Sequence, residues 1–179
     1  MTNLRLINFL LFQLGWLACV LAAAAQQAWL GSLLGLGVVV LHFVLSKQPQ
    51  VDFKILVLVL ILGGSWDSLL TALGILRFDS GMMISLFAPH WILVMWLLFA
   101  TTLNSSLGWM QGRYLLAAVF GAIGGPLAYR AGAALGAVDF SSTFDAMVII
   151  GVGWMLLMPT FVVMAEAARS APAEKETSQ

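Results

Sequence analysis

Four ionisable side chains lie within or beside long apolar segments, where a charge is costly unless it has a partner. They are Asp67, His90, Arg130 and Asp145. Aspartate and histidine can transfer protons, and arginine can pair with a carboxylate or an anionic head group. Such residues inside a membrane are candidates for function. The adjacent tryptophans, Trp66 and Trp91, complete a candidate ligand-binding set.

The residues that the sequence lacks limit the chemistry of this set. One cysteine, Cys19, excludes an intrachain disulfide and any site built from several cysteines. Two histidines are too few for a histidine-rich metal cluster, and the chain has neither an HExxH nor a GxSxG motif. We therefore expect no catalytic nucleophile, no metal and no cofactor. An enzyme that acts on a lipid, with Asp67 or His90 as general base, is the least favoured alternative.

The composition of the chain places these residues in a membrane. Hydrophobic residues make up 61% of the chain and charged residues 9%, with a mean hydropathy of +1.00. A soluble domain carries about 25% charged residues, because its surface must face water. The net charge of +0 gives no basic face for nucleic acid. The sequence predicts an integral membrane protein that contacts the lipid bilayer and has no nucleic-acid partner.

Six apolar runs are long enough to cross a bilayer, since a membrane-spanning helix needs about 20 mostly apolar residues. We predict an all-α integral membrane protein, a compact bundle of six transmembrane helices. These helices form a single domain over residues 1–168, followed by a disordered polar tail at 169–179. The predicted spans are approximately 6–25, 29–46, 54–75, 89–108, 113–136 and 143–165.

Lys and Arg residues predict the orientation of this bundle, because they are retained on the cytoplasmic side. With six spans, only Arg77 and Arg130 fall on the side opposite the termini, so both termini are expected in the cytoplasm. The first run also resembles a signal peptide with a cleavage site in AAAAQQA, residues 22–28. It is longer than the usual apolar region of a signal peptide, so we favour a retained helix. Cleavage would leave the other five spans in the same orientation.

In this orientation the four ionisable residues gather toward the outer end of the bundle. Asp67 lies about 20 Å along the third span, and Gly63, Gly64 and Thr71 share its face of the helix. This small and polar face should point into the bundle. An arginine paired with carboxylates lowers the cost of burying both, so we expect Asp67 to meet Arg130 or His90. The cluster is either a structural ion-pair network or a ligand site.

A second polar group falls in the cytoplasmic half of the predicted bundle. It consists of Asn8, Gln13, His42, Thr101, Asn104 and Ser105. We expect these residues to form hydrogen bonds between helices, with Asn8 and Asn104 as one candidate pair. Such bonds contribute about 0.6 kcal/mol each on average in membrane proteins.

Glycines at four-residue spacing mark two helix faces. They are Gly31 and Gly35 in the second span, and Gly121, Gly125, Gly132 and Gly136 in the fifth. This spacing lets two helix backbones approach closely. The close approach can occur inside the bundle, in a homodimer or with a membrane partner. Pro126 follows two glycines and predicts a kink in the fifth span.

Three stretches of the chain resemble those of a known family. They are NFLLFQLGW (8–16), PHWILVMWLLFATTLNSSLGWM (89–110) and GGPLAYRAG (124–132). The family is one of small bacterial inner-membrane proteins classed as a domain of unknown function, with PHW and GGPLxY motifs. The resemblance covers nearly the whole chain except the tail. It implies a compact, multi-pass helical protein of the bacterial cytoplasmic membrane and transfers no catalytic residues.

Two functions are favoured about equally by the sequence. In one, the protein binds or transports a small or lipid-like ligand at the outer polar cluster. In the other, it is a structural or accessory membrane subunit whose polar residues serve only packing. An outer cavity that joins the four ionisable residues would favour the ligand. Mutual pairing of these residues in a dry bundle would favour the structural role.

Overall fold

The computed structural model describes residues 2–170, which form six α-helices and two short strands. Five of the helices, all except α4, are long and apolar enough to cross a membrane. The chain is therefore a multi-pass membrane protein with an all-helical core, as predicted. The elements are α1 (Thr2–Ala24), α2 (Ala28–Leu45), α3 (Pro49–Ala72), β1 (Leu76–Arg77), α4 (His90–Leu103), α5 (Tyr114–Ala134), β2 (Asp139–Phe140) and α6 (Thr143–Ser170).

The connections between helices lie on two opposite sides of the bundle. We call the side where α1 begins and α6 ends the terminus side. On the other side β1, which follows α3, pairs antiparallel with β2, which follows α5. Leu76 lies opposite Phe140 and Arg77 opposite Asp139. On this side, which we call the strand side, the two strands join the connection between α3 and α4 to the connection between α5 and α6.

Helix α4 is shorter than the predicted span 89–108 and ends at Leu103. The chain continues through turns and a 3₁₀-helix at Gly108–Met110. Asparagine and serine side chains, which compete with helical hydrogen bonds, follow the last helical residue and favour this early end. The freed backbone is still paired, since the Leu107 amide donates to the Thr102 carbonyl at 2.8 Å. Non-helical backbone at membrane depth is tolerated when the protein satisfies it in this way.

Helix α4 is the core of the bundle. Ten of its fourteen residues are buried, whereas only 22–33% of the residues in the apolar windows of the long helices are buried. It packs against α1, α2, α3 and α6. Four of the five long helices therefore surround α4, and the outer faces of the long helices carry the apolar surface that a bilayer requires.

Helix α6 extends past its predicted end at residue 165 and reaches Ser170. The first two residues of the predicted disordered tail, Arg169 and Ser170, are thus helical. The remainder of that tail, 171–179, lies outside the described residues.

The glycine faces are occupied by contacts inside the chain. A Cβ atom added at Gly31 would lie 2.8 Å from the Cα atom of Cys19 on α1. One added at Gly35 would lie 2.6 Å from the Val94 side chain on α4. An added Cβ at Gly121 would lie 2.3 Å from a backbone oxygen of α6. Close helix packing thus explains the spacing of these glycines.

Candidate functional site

Asp67 is almost fully buried, with 1% of its surface exposed, and both of its carboxylate oxygens accept hydrogen bonds. The Trp96 Nε1–H of α4 donates to Oδ2 at 2.7 Å. The Tyr129 hydroxyl of α5 donates to Oδ1. Donors from two helices thus hold the carboxylate of a third in one position.

Glycines create the space for the rings around this carboxylate. A Cβ atom at Gly63 would lie 2.2 Å from Trp96, which is closer than two carbon atoms can approach without displacement. Two further glycines make room for rings in the same way. A Cβ atom at Gly125 would lie 2.4 Å from Trp154, and a Cβ atom at Gly153 would lie 2.1 Å from Trp66. The glycine that precedes Asp67 by one helical turn therefore lets Trp96 reach the carboxylate.

A cavity of about 340 Å³ adjoins Asp67. Most of its wall consists of aromatic rings, including Trp16, Trp91, Trp96, Phe99, Tyr129 and Trp154. Gln13 and Asp67 supply polar side chains, and among residues 2–170 no Lys, Arg or His lines the cavity. A concave, mostly apolar space with a few polar groups is typical of a ligand site.

Trp154 contributes its aromatic ring to the wall of this cavity. The ring stacks on Trp96 with the centroids 5.1 Å apart and the planes 16° from parallel. Its Nε1–H is buried beside the Tyr129 hydroxyl and does not face the cavity. The apolar ring is therefore what Trp154 offers to a ligand.

The cavity can be reached from the flank of the bundle between α1 and α5. Three of its lining residues, Gln13 on α1 and Leu127 and Ala128 on α5, are exposed. Helix α1 packs on α2 and α4, and α5 packs mainly on α6. Gln13 lies halfway along α1. The exposed lining residues therefore mark an opening on the lateral surface, away from the helix ends.

The structure brings two of the six predicted ligand-binding residues, Asp67 and Trp91, to this cavity. The indole Nε1–H of Trp91 donates to the Ser80 carbonyl at 3.1 Å. The His90 Nδ1 lies 2.7 Å from the Ser32 hydroxyl, and the His90 side chain does not line the cavity.

The other three predicted residues also lie outside the cavity lining. Arg130 and Asp145 are exposed, and the ring of Trp66 packs on Gly153 with its own Nε1–H buried and unpaired within the described chain. Their part in ligand binding stays a prediction.

The expected pairing of Asp67 with Arg130 or His90 is replaced by its bonds to Trp96 and Tyr129. Successive residues of a helix point about 100° apart, since the helix has 3.6 residues per turn. Because Tyr129 points toward Asp67, its neighbour Arg130 is turned to the surface. Neutral donors can satisfy a carboxylate without burying a second charge.

Sequence reasoning missed Trp96, Tyr129 and Trp154 and placed Gln13 in the other polar group. One signal could have identified Tyr129, which lies in the GGPLAYRAG stretch three residues after Pro126. Its hydroxyl can enter an apolar bundle at a lower cost than the guanidinium of an arginine.

A second, partly buried network surrounds Asp52 on the terminus side. The Ser46 hydroxyl donates to Oδ2 at 2.5 Å, and the His42 Nε2 atom lies 3.2 Å from the same oxygen. The Asn104 amide donates to Oδ1 at 3.3 Å. This network connects α2 and α3 with the end of α4.

The network continues from Asn104 to the last turn of α6. The Gln111 amide donates to the Asn104 carbonyl oxygen at 3.1 Å, and Arg169 donates to Gln111 at 2.8 Å. Asn8 does not bond Asn104 as expected, because it donates to the Thr101 carbonyl and accepts from Ser106. Asn8, His42 and Asn104 thus form hydrogen bonds between segments, with partners other than those predicted. The Thr101 hydroxyl instead donates within its own helix, to the Leu98 carbonyl, and Gln13 lines the cavity.

Within residues 2–170, no group of three or more His, Cys, Asp or Glu side chains is placed to hold a metal ion. Comparison with curated proteins and with solved structures finds no match. A family model described as a protein of unknown function, DUF2878, matches residues 5–160. This match covers most of the chain and confirms the resemblance to a family of unknown function. The protein belongs to the DUF2878 family.

Proposed function

We propose that the protein binds a small or lipid-like ligand in the cavity beside Asp67. The observation that carries this proposal is a buried carboxylate at the wall of a cavity that is lined mostly by aromatic rings. A bundle built only for packing would be expected to close this space, since voids cost stability.

The lateral opening supports a ligand that arrives from the bilayer. With both termini in the cytoplasm of a bacterial inner membrane, the Asp67 half of the bundle would face the outer leaflet. A ligand released to the other leaflet or to water would make the protein a transporter, and one that stays bound would make it a binding protein. Both activities begin with the same occupied cavity.

A structural or accessory role is the alternative. The two hydrogen bonds to Asp67 support it, because they satisfy the carboxylate oxygens without any ligand. A homodimer or another membrane partner would then contact the outer faces of the long helices. Gly31, Gly35 and Gly121 would contribute little to that contact, since they already touch neighbouring helices of the same chain.

Native mass spectrometry of the protein extracted in lipid nanodiscs tests the proposal. We expect the wild type to retain a small molecule or a particular lipid, and Asp67→Asn and Trp154→Phe to lose it. The matched control is Asp139→Asn, which removes an exposed carboxylate on β2, outside the cavity. Identical spectra for all four proteins would overturn ligand binding and favour the structural role.

A further inference from the structure

We propose that the ligand of this cavity is a lipophilic organic cation, held by the Asp67 carboxylate and by the faces of the surrounding aromatic rings. This inference rests on the proposed function, because it names the ligand class of the same cavity. Three features of the cavity support it: its charge, its aromatic wall and its opening.

The charge of the cavity wall is unbalanced. Asp67 supplies a carboxylate, and within the described part of the chain no Lys, Arg or His side chain lies within 4.0 Å of it. Trp96 and Tyr129 stabilise the carboxylate oxygens by hydrogen bonds but bring no positive charge. A buried carboxylate without a counter-charge is unfavourable. A cation in the adjoining cavity supplies the missing charge.

The aromatic wall suits the same class of ligand. Indole faces attract cations more strongly than other aromatic side chains do, and cages of such rings recognise quaternary ammonium groups. Four tryptophans line the cavity: Trp16, Trp91, Trp96 and Trp154. An anion in this cavity would face the Asp67 carboxylate and be repelled by it. The wall as a whole therefore selects a cation over an anion of the same size.

The opening of the cavity explains why the cation should be lipophilic. The exposed lining residues lie halfway along α1 and about two thirds of the way along α5, where most of the exposed side chains are apolar. A hydrated ion such as Na⁺ would have to lose its water before it reached this opening. A cation with bulky apolar substituents partitions into the bilayer and can enter from the side.

Two ions of the same shape and opposite charge test this inference, namely tetraphenylphosphonium and tetraphenylborate. Their affinities are measured by isothermal titration calorimetry with the purified protein in detergent, and empty micelles serve as the blank. We expect the wild type to bind the phosphonium at least about tenfold more tightly than the borate. Asp67→Asn should lower this ratio to about one, since it removes the charge and keeps the side-chain shape. The control variant Asp139→Asn should keep the wild-type ratio.

A wild type that binds both ions equally, or neither, would overturn the inference. An Asp67→Asn variant that keeps the phosphonium preference would also overturn the inference of a cationic ligand. Ligand retention in nanodiscs would still decide the proposed function separately. If Asp67→Asn does not fold, Trp16→Leu replaces it, because this variant removes one half-buried ring and keeps the carboxylate. It should weaken phosphonium binding about fivefold and leave borate binding unchanged, and an equal effect on both ions would contradict the role of the rings.

Discussion

The protein places two aspartates on one helix in two different surroundings. Asp52, on the terminus side, has hydrogen-bonding contacts with His42, Ser46 and Asn104 and lies outside the cavity. Asp67, toward the strand side, accepts two hydrogen bonds and adjoins the cavity. The residue type is the same in both places. The space beside the carboxylate distinguishes a candidate site from a structural network.

The comparison also shows how each network is built. Polar side chains near the helix ends form the Asp52 network, which extends through Gln111 to Arg169 and links four helices. Aromatic rings seated on glycines surround Asp67. We expect substitutions at the two aspartates to separate stability from ligand binding.

Replacing Gly63 by alanine should cause the largest loss of stability. The new Cβ atom would lie 2.2 Å from the Trp96 ring, so the ring must move away from Asp67. Overpacking of this kind costs about 1–3 kcal/mol, and we expect the upper end of that range because the ring is large and buried. Thermal unfolding followed by circular dichroism in nanodiscs measures the loss. Gly37→Ala is the control, since a Cβ atom there meets nothing within 4 Å. Equal unfolding temperatures for the two variants would show that the aromatic rings around Asp67 are not tightly packed.

Asp52→Ala should destabilise the protein without affecting the ligand. It leaves His42, Ser46 and Asn104 without their shared acceptor. At about 0.6 kcal/mol for each hydrogen bond, the loss is about 2 kcal/mol. The same unfolding measurement reports it, and native mass spectrometry reports the bound ligand. Loss of the ligand from a folded Asp52→Ala variant would mean that the Asp52 network influences binding in the cavity beside Asp67.

Asp67→Asn should show the opposite behaviour. The asparagine keeps the shape of the side chain and one acceptor oxygen, so only one of the two hydrogen bonds is lost. We expect a stability change of about 1 kcal/mol or less and loss of the retained ligand. If the unfolding temperature falls more than that of Asp52→Ala while the ligand remains, Asp67 is the structural residue and the comparison is reversed.

Arg130→Gln should have the smallest effect of the four. Arg130 is exposed and does not line the cavity, although the sequence predicted it as a partner of Asp67. Surface substitutions of this kind change stability little. We expect unchanged unfolding and unchanged ligand retention in the two assays above. Loss of the ligand in this variant would show that Arg130 takes part in ligand binding.

Composition and the length of apolar runs were sufficient to predict the membrane class and the all-helical fold. These properties are local, because a run of about 20 apolar residues must cross the bilayer wherever its neighbours lie. The small residues beside Asp67 also predicted correctly that this face of α3 is buried. The end of α4 was harder to place, since hydropathy does not show that polar groups of other segments satisfy its last turn.

The partners of Asp67 could not be predicted in the same way. Tyr129 is 62 residues away in the sequence, and the choice between Tyr129 and Arg130 depends on the rotation of α5. That rotation is set by contacts such as the packing of Gly125 on Trp154, which no local pattern encodes. Reasoning from charge favoured arginine, whereas the structure satisfies the carboxylate with neutral donors.

The short central helix has a consequence for biosynthesis. At 1.5 Å per residue, α4 is about 21 Å long, which is less than the ~30 Å of a bilayer's apolar core. Its environment is provided by the helices around it, one of which, α6, is synthesised after α4. We therefore expect α4 to be held only loosely in the nascent chain, and Trp96 to find its stacking partner only after α6 is inserted. Packing of the rings around Asp67 thus waits for α6, and a chain that stops before α6 should be a substrate for membrane quality control.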